Sequence, residues 1–129
     1  MVIKGDEQAR KVAFNQCKQG AVRRGIPFLL TPEEYCRVVI LPCYYCGNLP
    51  TMVTDSFSKN IDDVEFVHNG IDRVDNEMGY VRGNAAPCCS ICNMMKRELS
   101  YSGFLDHIRK IYEYSLEHIE LVKKGFVVR

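Results

Sequence analysis

Two Cys-x2-Cys pairs, Cys43-Tyr44-Tyr45-Cys46 and Cys89-Ser90-Ile91-Cys92, constrain this chain more than any other feature of it. Each spacing turns two thiols toward one point, and two such turns complete a tetrahedral four-thiolate shell around a single ion. The 42 residues between the pairs exceed the gap of common zinc ribbons, so a further structural unit must lie inside the loop. Gly47 follows the first pair, where a knuckle turn often needs a residue at positive φ. Four thiolates leave no open position for substrate or water, so the zinc expected here is structural. Cys88 is an alternative to Cys89, but only Cys89 keeps the two-residue spacing to Cys92. The competing readings of these thiols are buried apolar cysteines or a redox pair.

The seven cysteines are an odd number for 129 residues, and Cys17 and Cys36 fall in helical patterns that assign them to the core. No charged start leads into an apolar signal region, and no apolar run approaches the length of about 18 residues that a membrane helix needs. An intracellular, cytoplasmic chain is therefore expected, with thiols reduced and available to metal rather than locked in disulfides. The length suits one domain, 1–129, with a real but modest core. The net charge of +1 hides an asymmetry. Residues 1–25 carry Lys4, Arg10, Lys11, Lys18, Arg23 and Arg24 against Asp6 and Glu7, a net +4, whereas residues 26–72 carry −5. A basic arm suits phosphate binding and equally suits a solvated helix face.

Ala9, Val12, Ala13, Cys17 and Ala21 recur at helical spacing, which predicts a helix over roughly 6–24 that closes at Gly25 before Pro27. Thr31-Pro32-Glu33-Glu34 supplies an N-cap, a proline at the first helical position and the glutamate of a capping box. That short helix should run to about Leu41, where Pro42 stops it. Residues 48–63 read as a loop. Val64–Val67 and Gly70-Ile71 surround a possible strand broken by a turn at Asn69-Gly70, and Tyr80-Val81 reads as a short return strand. A helix is expected from about Cys89 to Leu99. A longer one is capped by Ser102 and closed at Gly125, with a stripe of Phe104, Ile108, Ile111, Ser115, Ile119 and Val122 expected to pack.

Between and after the cysteine pairs run Gly70-Ile-Asp72-Arg73-Val-Asp75-Asn76 and Arg82-Gly83-Asn84, then Pro87-Cys-Cys-Ser-Ile-Cys92-Asn93-Met-Met-Lys96. With Tyr-Tyr-Cys-Gly at the first knuckle, residues 42–97 resemble the HNH (His-Me finger, ββα-metal) endonucleases, most closely a zinc-knuckle phage and bacterial branch. The resemblance implies an α+β fold: a ββα core over 42–98 braced by Cys43, Cys46, Cys89 and Cys92. Helices over 6–41 and 102–124 would flank it.

The resemblance implies divalent-metal-dependent hydrolysis of DNA phosphodiester bonds with Mg²⁺ or Mn²⁺, and a phage origin for the chain. Carried over by motif, Asp72 matches the metal carboxylate, Asn84 the asparagine that pins the loop between the strands, and Asn93 the metal ligand on the helix. A cation held by oxygen ligands would polarise the scissile phosphate. Because Asn93 follows Cys92, the structural zinc would position a catalytic ligand. Both Asp72 and Asn93 would face solvent and substrate.

The family's base histidine is replaced by Arg73, which stays protonated and cannot be a base; it is left to clamp a phosphate or to stabilise transition-state charge. The substitute bases are His68, Asp75 or a water held by the metal. His68 lies roughly 13 Å from Asp72 along a strand, less if Asn69-Gly70 turns, and reads equally as a surface histidine. Asp75 and Asn76 serve equally as loop-closing turn residues. Arg82, Lys96 and Arg97 flank the site as phosphate contacts or as solvated charge. Tyr44, Tyr45 and Tyr80 either stack on bases or pack the core. The rival reading keeps the zinc and the DNA affinity on this scaffold but not turnover, and a third is a zinc-braced protein-interaction domain.

Overall fold

A computed structural model of the protein describes residues 7–55 and 65–125. The chain divides into two compact units, Met1–Arg97 and Glu98–Arg129.

The first unit opens with α1 (Glu7–Arg23), which buries Ala9, Ala13, Phe14 and Ala21 along one side. Gly25 ends it at φ +70°, a conformation that a side chain would strain. Lys4 and Asp6 of the basic arm lie outside the described residues. The capping box that starts α2 (Pro32–Val39) forms as its sequence predicts. The Glu34 amide donates to Thr31 Oγ1 at 3.1 Å, and the Thr31 amide donates to Glu34 Oε1 at 3.0 Å. Tyr35, Cys36 and Val39 then face inward, and the Phe14 ring sits edge-on to both Phe28 and Tyr35.

Among the described residues, four short strands follow, as two separate antiparallel pairs. Strand β1 (Met52–Thr54) pairs with β2 (Phe66–His68), and β3 (Gly70–Arg73) pairs with β4 (Ala85–Cys88). Three expectations are corrected here. Part of the segment read as loop, 52–54, is strand β1; Val64 and residues 56–63 lie outside the described residues. Asn69 is no hairpin turn but the one residue joining β2 to β3. Its amide donates to the Val39 carbonyl and its side chain to the Leu41 carbonyl at 2.9 Å, so the end of α2 takes up the polar groups a turn would have used. The return strand is β4 rather than Tyr80-Val81, and it places Asp72 opposite Ala86 and Arg73 opposite Ala85. Tyr80 instead makes a single bridge to Phe28, its amide donating to the Pro27 carbonyl at 2.8 Å. Gly79 lets the two segments approach, since a Cβ there would lie 2.4 Å from the Pro27 oxygen.

Helix α3 (Ser90–Lys96) completes the unit, with Cys89 as its N-cap. Beside α3 and the β3–β4 hairpin, Phe14, Phe28, Tyr35, Val39, Phe66, Ile71 and Tyr80 form one buried cluster. The second unit holds α4 (Tyr101–Lys123), which is capped by Ser100 rather than Ser102. Its stripe is not the covered face the periodicity suggests. Phe104 is buried, but Ile111, Ile119 and Val122 are exposed. No helix among the described residues is long and apolar enough to cross a membrane.

Candidate metal centre and active site

The sulfur atoms of Cys43, Cys46, Cys89 and Cys92 all lie within 4.8 Å of one another. Cys46 and Cys89 Sγ are 3.7 Å apart, close to the ~3.8 Å edge of a tetrahedron with metal–sulfur bonds of about 2.3 Å. The backbone is turned for this purpose: the Cys89 amide donates to Cys43 Sγ at 3.3 Å, and the Cys92 amide to Cys89 Sγ at 3.4 Å. Burial opposes ionisation of Cys43 and Cys92 alike; donation from the Cys46, Cys89 and Tyr45 backbones outweighs it at Cys43, bringing that thiol down to about 6, whereas the Cys92 thiol stays pushed up. Gly47 takes φ +77° at the end of the first knuckle, whose amide donates to the Cys43 carbonyl at 2.9 Å. The four cysteines are therefore placed to hold a metal ion such as zinc. Among the described residues, no second group of three or more His, Cys, Asp or Glu side chains converges in this way.

The fifth thiol nearby, Cys88, stays outside the group. It is fully buried, burial pushes its pKa up, and it donates to the Cys89 carbonyl at 3.4 Å. Cys36 is buried in the main cluster and Cys17 packs against it, with the Cys17 thiol pushed up to about 11 by burial.

Tyr45, inside the first knuckle, and Lys96, four residues past the second, both reach Asp72. Tyr45 donates its hydroxyl to Asp72 Oδ2 at 2.5 Å. Lys96, at the end of the helix that begins at the second knuckle, places its ammonium 3.1 Å from the same oxygen. The Asp72 side chain is 7% exposed and that of Lys96 is 0% exposed. Two expectations change accordingly. Asp72 does not face solvent, and Lys96 is not a surface phosphate contact. The sequence carried a signal for the second point, because Cys89, Cys92 and Lys96 fall at i, i+3 and i+7 and so share one face of α3. Asn93, one residue after Cys92, is exposed.

The loop from Val74 to Asn84 is tied at both ends. Asn84 Oδ1 accepts from the Asp75 amide at 2.9 Å, and its Nδ2 donates to the Asp75 and Gly79 carbonyls at 3.0 and 2.9 Å. Asp75 Oδ1 accepts from the Glu77 amide at 2.9 Å. Arg73 reaches the same loop, its Nη1 donating to the Asn76 carbonyl at 2.7 Å and the Met78 carbonyl at 3.2 Å. Its guanidinium carbon lies 5.8 Å from the centre of the buried Tyr80 ring.

His68 is neither a surface histidine nor open to solvent. It is buried, stacked on Phe66 with ring centroids 5.0 Å apart. Its Nδ1 faces the Asn69 carbonyl at 2.8 Å and so carries the proton, which leaves Nε2 to accept from Thr54 Oγ1 at 2.8 Å. Burial lowers its pKa. Of the remaining cations, Arg82 is largely exposed and pairs with Glu34 at 2.7 Å. Arg97 is exposed at the end of α3, with φ +49°. Tyr44 is exposed, whereas Tyr45 packs against the cysteine cluster.

A β-hairpin and a helix braced by a four-cysteine knuckle pair, with helices at either end of the chain, define an α+β fold. The rare-cutting HNH restriction endonuclease PacI has a solved structure that superposes on this chain with a TM-score of 0.51 at 23% identity, covering 74% of this chain and 70% of that one. In sequence, the chain is 35% identical over 101 residues to the uncharacterized protein R423 of Acanthamoeba polyphaga mimivirus. The match covers 78% of this chain but spans only 16% of the viral protein. No family model matches the chain.

Proposed function

We propose that this domain is a DNA endonuclease of the HNH type, hydrolysing phosphodiester bonds with Mg²⁺ or Mn²⁺ and braced by zinc at Cys43, Cys46, Cys89 and Cys92. The observation that carries the reading is a fold similar to that of an HNH restriction endonuclease, together with Asp72 of this chain held by Tyr45 from the first knuckle and by Lys96 at the end of α3. Asp72 and Asn93 are oxygen donors of the kind a hard divalent cation takes, the remaining positions going to water and substrate phosphate. Such a cation, when bound, supplies the charge that polarises the phosphate and stabilises the leaving oxygen.

The chain's own residues do the rest. Asn84 and Arg73 hold the 74–84 loop in one shape beside the hairpin. This gives Arg73 a positioning role in addition to any contact with phosphate, and it keeps a fixed positive charge where the family has its base. Asp75 lies in that loop and is the proposed base within the chain, since the acceptor nitrogen of His68 is already used by Thr54. Arg82 and Arg97 extend cationic side chains into solvent and are proposed to meet the DNA backbone. A viral relative is consistent with a phage or viral source.

The test is conversion of supercoiled plasmid to nicked or linear form with Mg²⁺ or Mn²⁺. We expect activity in the wild type and its loss, by at least a hundredfold, in Asp72→Asn and Asn93→Ala. Asparagine is the better replacement at 72 because it keeps the shape and a hydrogen-bond acceptor for Tyr45 and Lys96, although, like alanine, it removes the counter-charge of the buried Lys96 ammonium at a cost of about 3–5 kcal/mol, so circular dichroism must show the variant folded. Cleavage by Asp72→Asn at the wild-type rate removes Asp72 from the mechanism. One observation favours a second reading, a zinc-stabilised DNA-binding module: Asp72 is already matched by an internal cation. That reading wins if the wild type binds DNA in a salt-dependent way without cutting it and Arg73→His creates cleavage.

A further inference from the structure

The Lys96 ammonium sits in a cage built entirely of oxygen. Its Nζ is 3.1 Å from Asp72 Oδ2, 3.2 Å from the Arg73 carbonyl and 3.5 Å from Asn76 Oδ1. Three donors thus meet a carboxylate, a backbone carbonyl and a side-chain amide, which is the donor set of a hard metal ion. The side chain is wholly buried, so this is no surface lysine that happens to lie near an acid. The cage is also fixed on every side. Asp72 and Arg73 belong to β3, Tyr45 holds the carboxylate from the first knuckle, Arg73 secures the loop at Asn76, and Lys96 itself ends the helix that carries Cys92.

We propose that Lys96 is the resident cation of the Asp72 site, and that a divalent ion and the Lys96 ammonium bind Asp72 in competition. The proposal rests on the reading of Asp72 as a metal ligand. A second positive charge brought to the same carboxylate would meet the Lys96 ammonium already 3.1 Å from its Oδ2, and like charges sharing one buried carboxylate repel. Free protein should therefore take up divalent metal weakly. DNA phosphates would shift the balance by adding negative charge to the far side of the ion.

The experiment is direct Mn²⁺ titration of zinc-loaded, DNA-free protein, read by electron paramagnetic resonance of free Mn²⁺. Lys96→Gln removes the charge and keeps a hydrogen-bond donor, on a side chain one atom shorter. It should bind Mn²⁺ at least tenfold more tightly than wild type, and the gain should vanish in Asp72→Asn/Lys96→Gln. Equal affinities for wild type and Lys96→Gln, both lost with Asp72→Asn, overturn the competition while leaving Asp72 a metal ligand. No Asp72-dependent binding in either folded chain overturns both. Should Lys96→Gln not fold, wild-type protein labelled with ¹³C at lysine Cε and aspartate Cγ is titrated with Mg²⁺. The Lys96 and Asp72 signals should then move together, and saturation of the Asp72 shift with Lys96 unmoved rejects the proposal.

Discussion

Asn84 shows how much a single side chain can be asked to hold. Its amide makes three hydrogen bonds to the backbone of the loop it closes, two at Asp75 and one at Gly79, and it is itself 4% exposed. Each such bond is worth about 1 kcal/mol net, and buried groups left without partners cost more. Asn84→Ala should therefore destabilise the fold by about 2–4 kcal/mol. Asn84→Asp keeps the acceptor for the Asp75 amide but turns two donors into acceptors facing carbonyls, so it should be no better. Denaturant melts of the three proteins check this, and a loss below about 0.5 kcal/mol in Asn84→Ala would show that the loop keeps its shape without the side chain. At this scale the sequence was informative where a residue's chemistry is local and less so where it depends on partners far along the chain. The capping box at Thr31 and Glu34 lies within four residues and could be read directly. The company of Asp72 could not, because Tyr45 and Lys96 arrive from 27 residues before it and 24 after it. Motif position alone made Asp72 look solvent-facing.

Among the elements, the helices were legible and the strands only partly so. α1 and α2 carry helical periodicity together with explicit start and stop residues. β4 reads Ala-Ala-Pro-Cys, without a β-branched or aromatic residue, and Pro87 lacks an amide, so nothing local marks it as the partner of β3. β1 and β2 are three residues each and are held together partly by a side chain, the His68–Thr54 hydrogen bond across their ends. That bond gives the β1–β2 pair a pH dependence with a definite sign. The folded His68 pKa lies below its ordinary value near 6.5, because burial disfavours the imidazolium. The unfolded chain then binds more protons than the folded one between the two values, so the contribution is fully present above 6.5 and is lost as pH falls through that window. Denaturation midpoints between pH 7.5 and 5 should fall faster in wild type than in His68→Gln, which does not titrate. Parallel curves would mean that His68 becomes protonated in the folded protein without penalty.

Over the whole molecule, the knuckles enclose what they stabilise. All four strands lie between Cys46 and Cys89, and so do Phe66, Ile71 and Tyr80, three members of the main buried cluster. Closing the four-thiolate shell joins the two ends of that segment, and the Tyr45 and Lys96 contacts with Asp72 extend the closure into β3. Zinc held by such a shell supplies an apparent ~10–16 kcal/mol, whereas a domain of this size is stable by only about 5–15 kcal/mol in total. Taking the metal away should therefore leave too little to keep the strands in place, even though α1, α2 and their aromatic contacts belong to a buried cluster other than that of the knuckle cysteines. We expect purified protein to contain close to one zinc per chain. A strong chelator should abolish its near-ultraviolet circular dichroism and the amide-exchange protection of β3 and β4 in one transition, reversed by added zinc. Cobalt in place of zinc should give the intense thiolate charge-transfer absorption of a tetrahedral sulfur site, and Cys92→Ser should weaken both that absorption and the fold. Folded protein with well under one metal per chain, or an unchanged melting curve after chelation, would show that the aromatic cluster holds the unit by itself and that the cysteines are simply buried thiols.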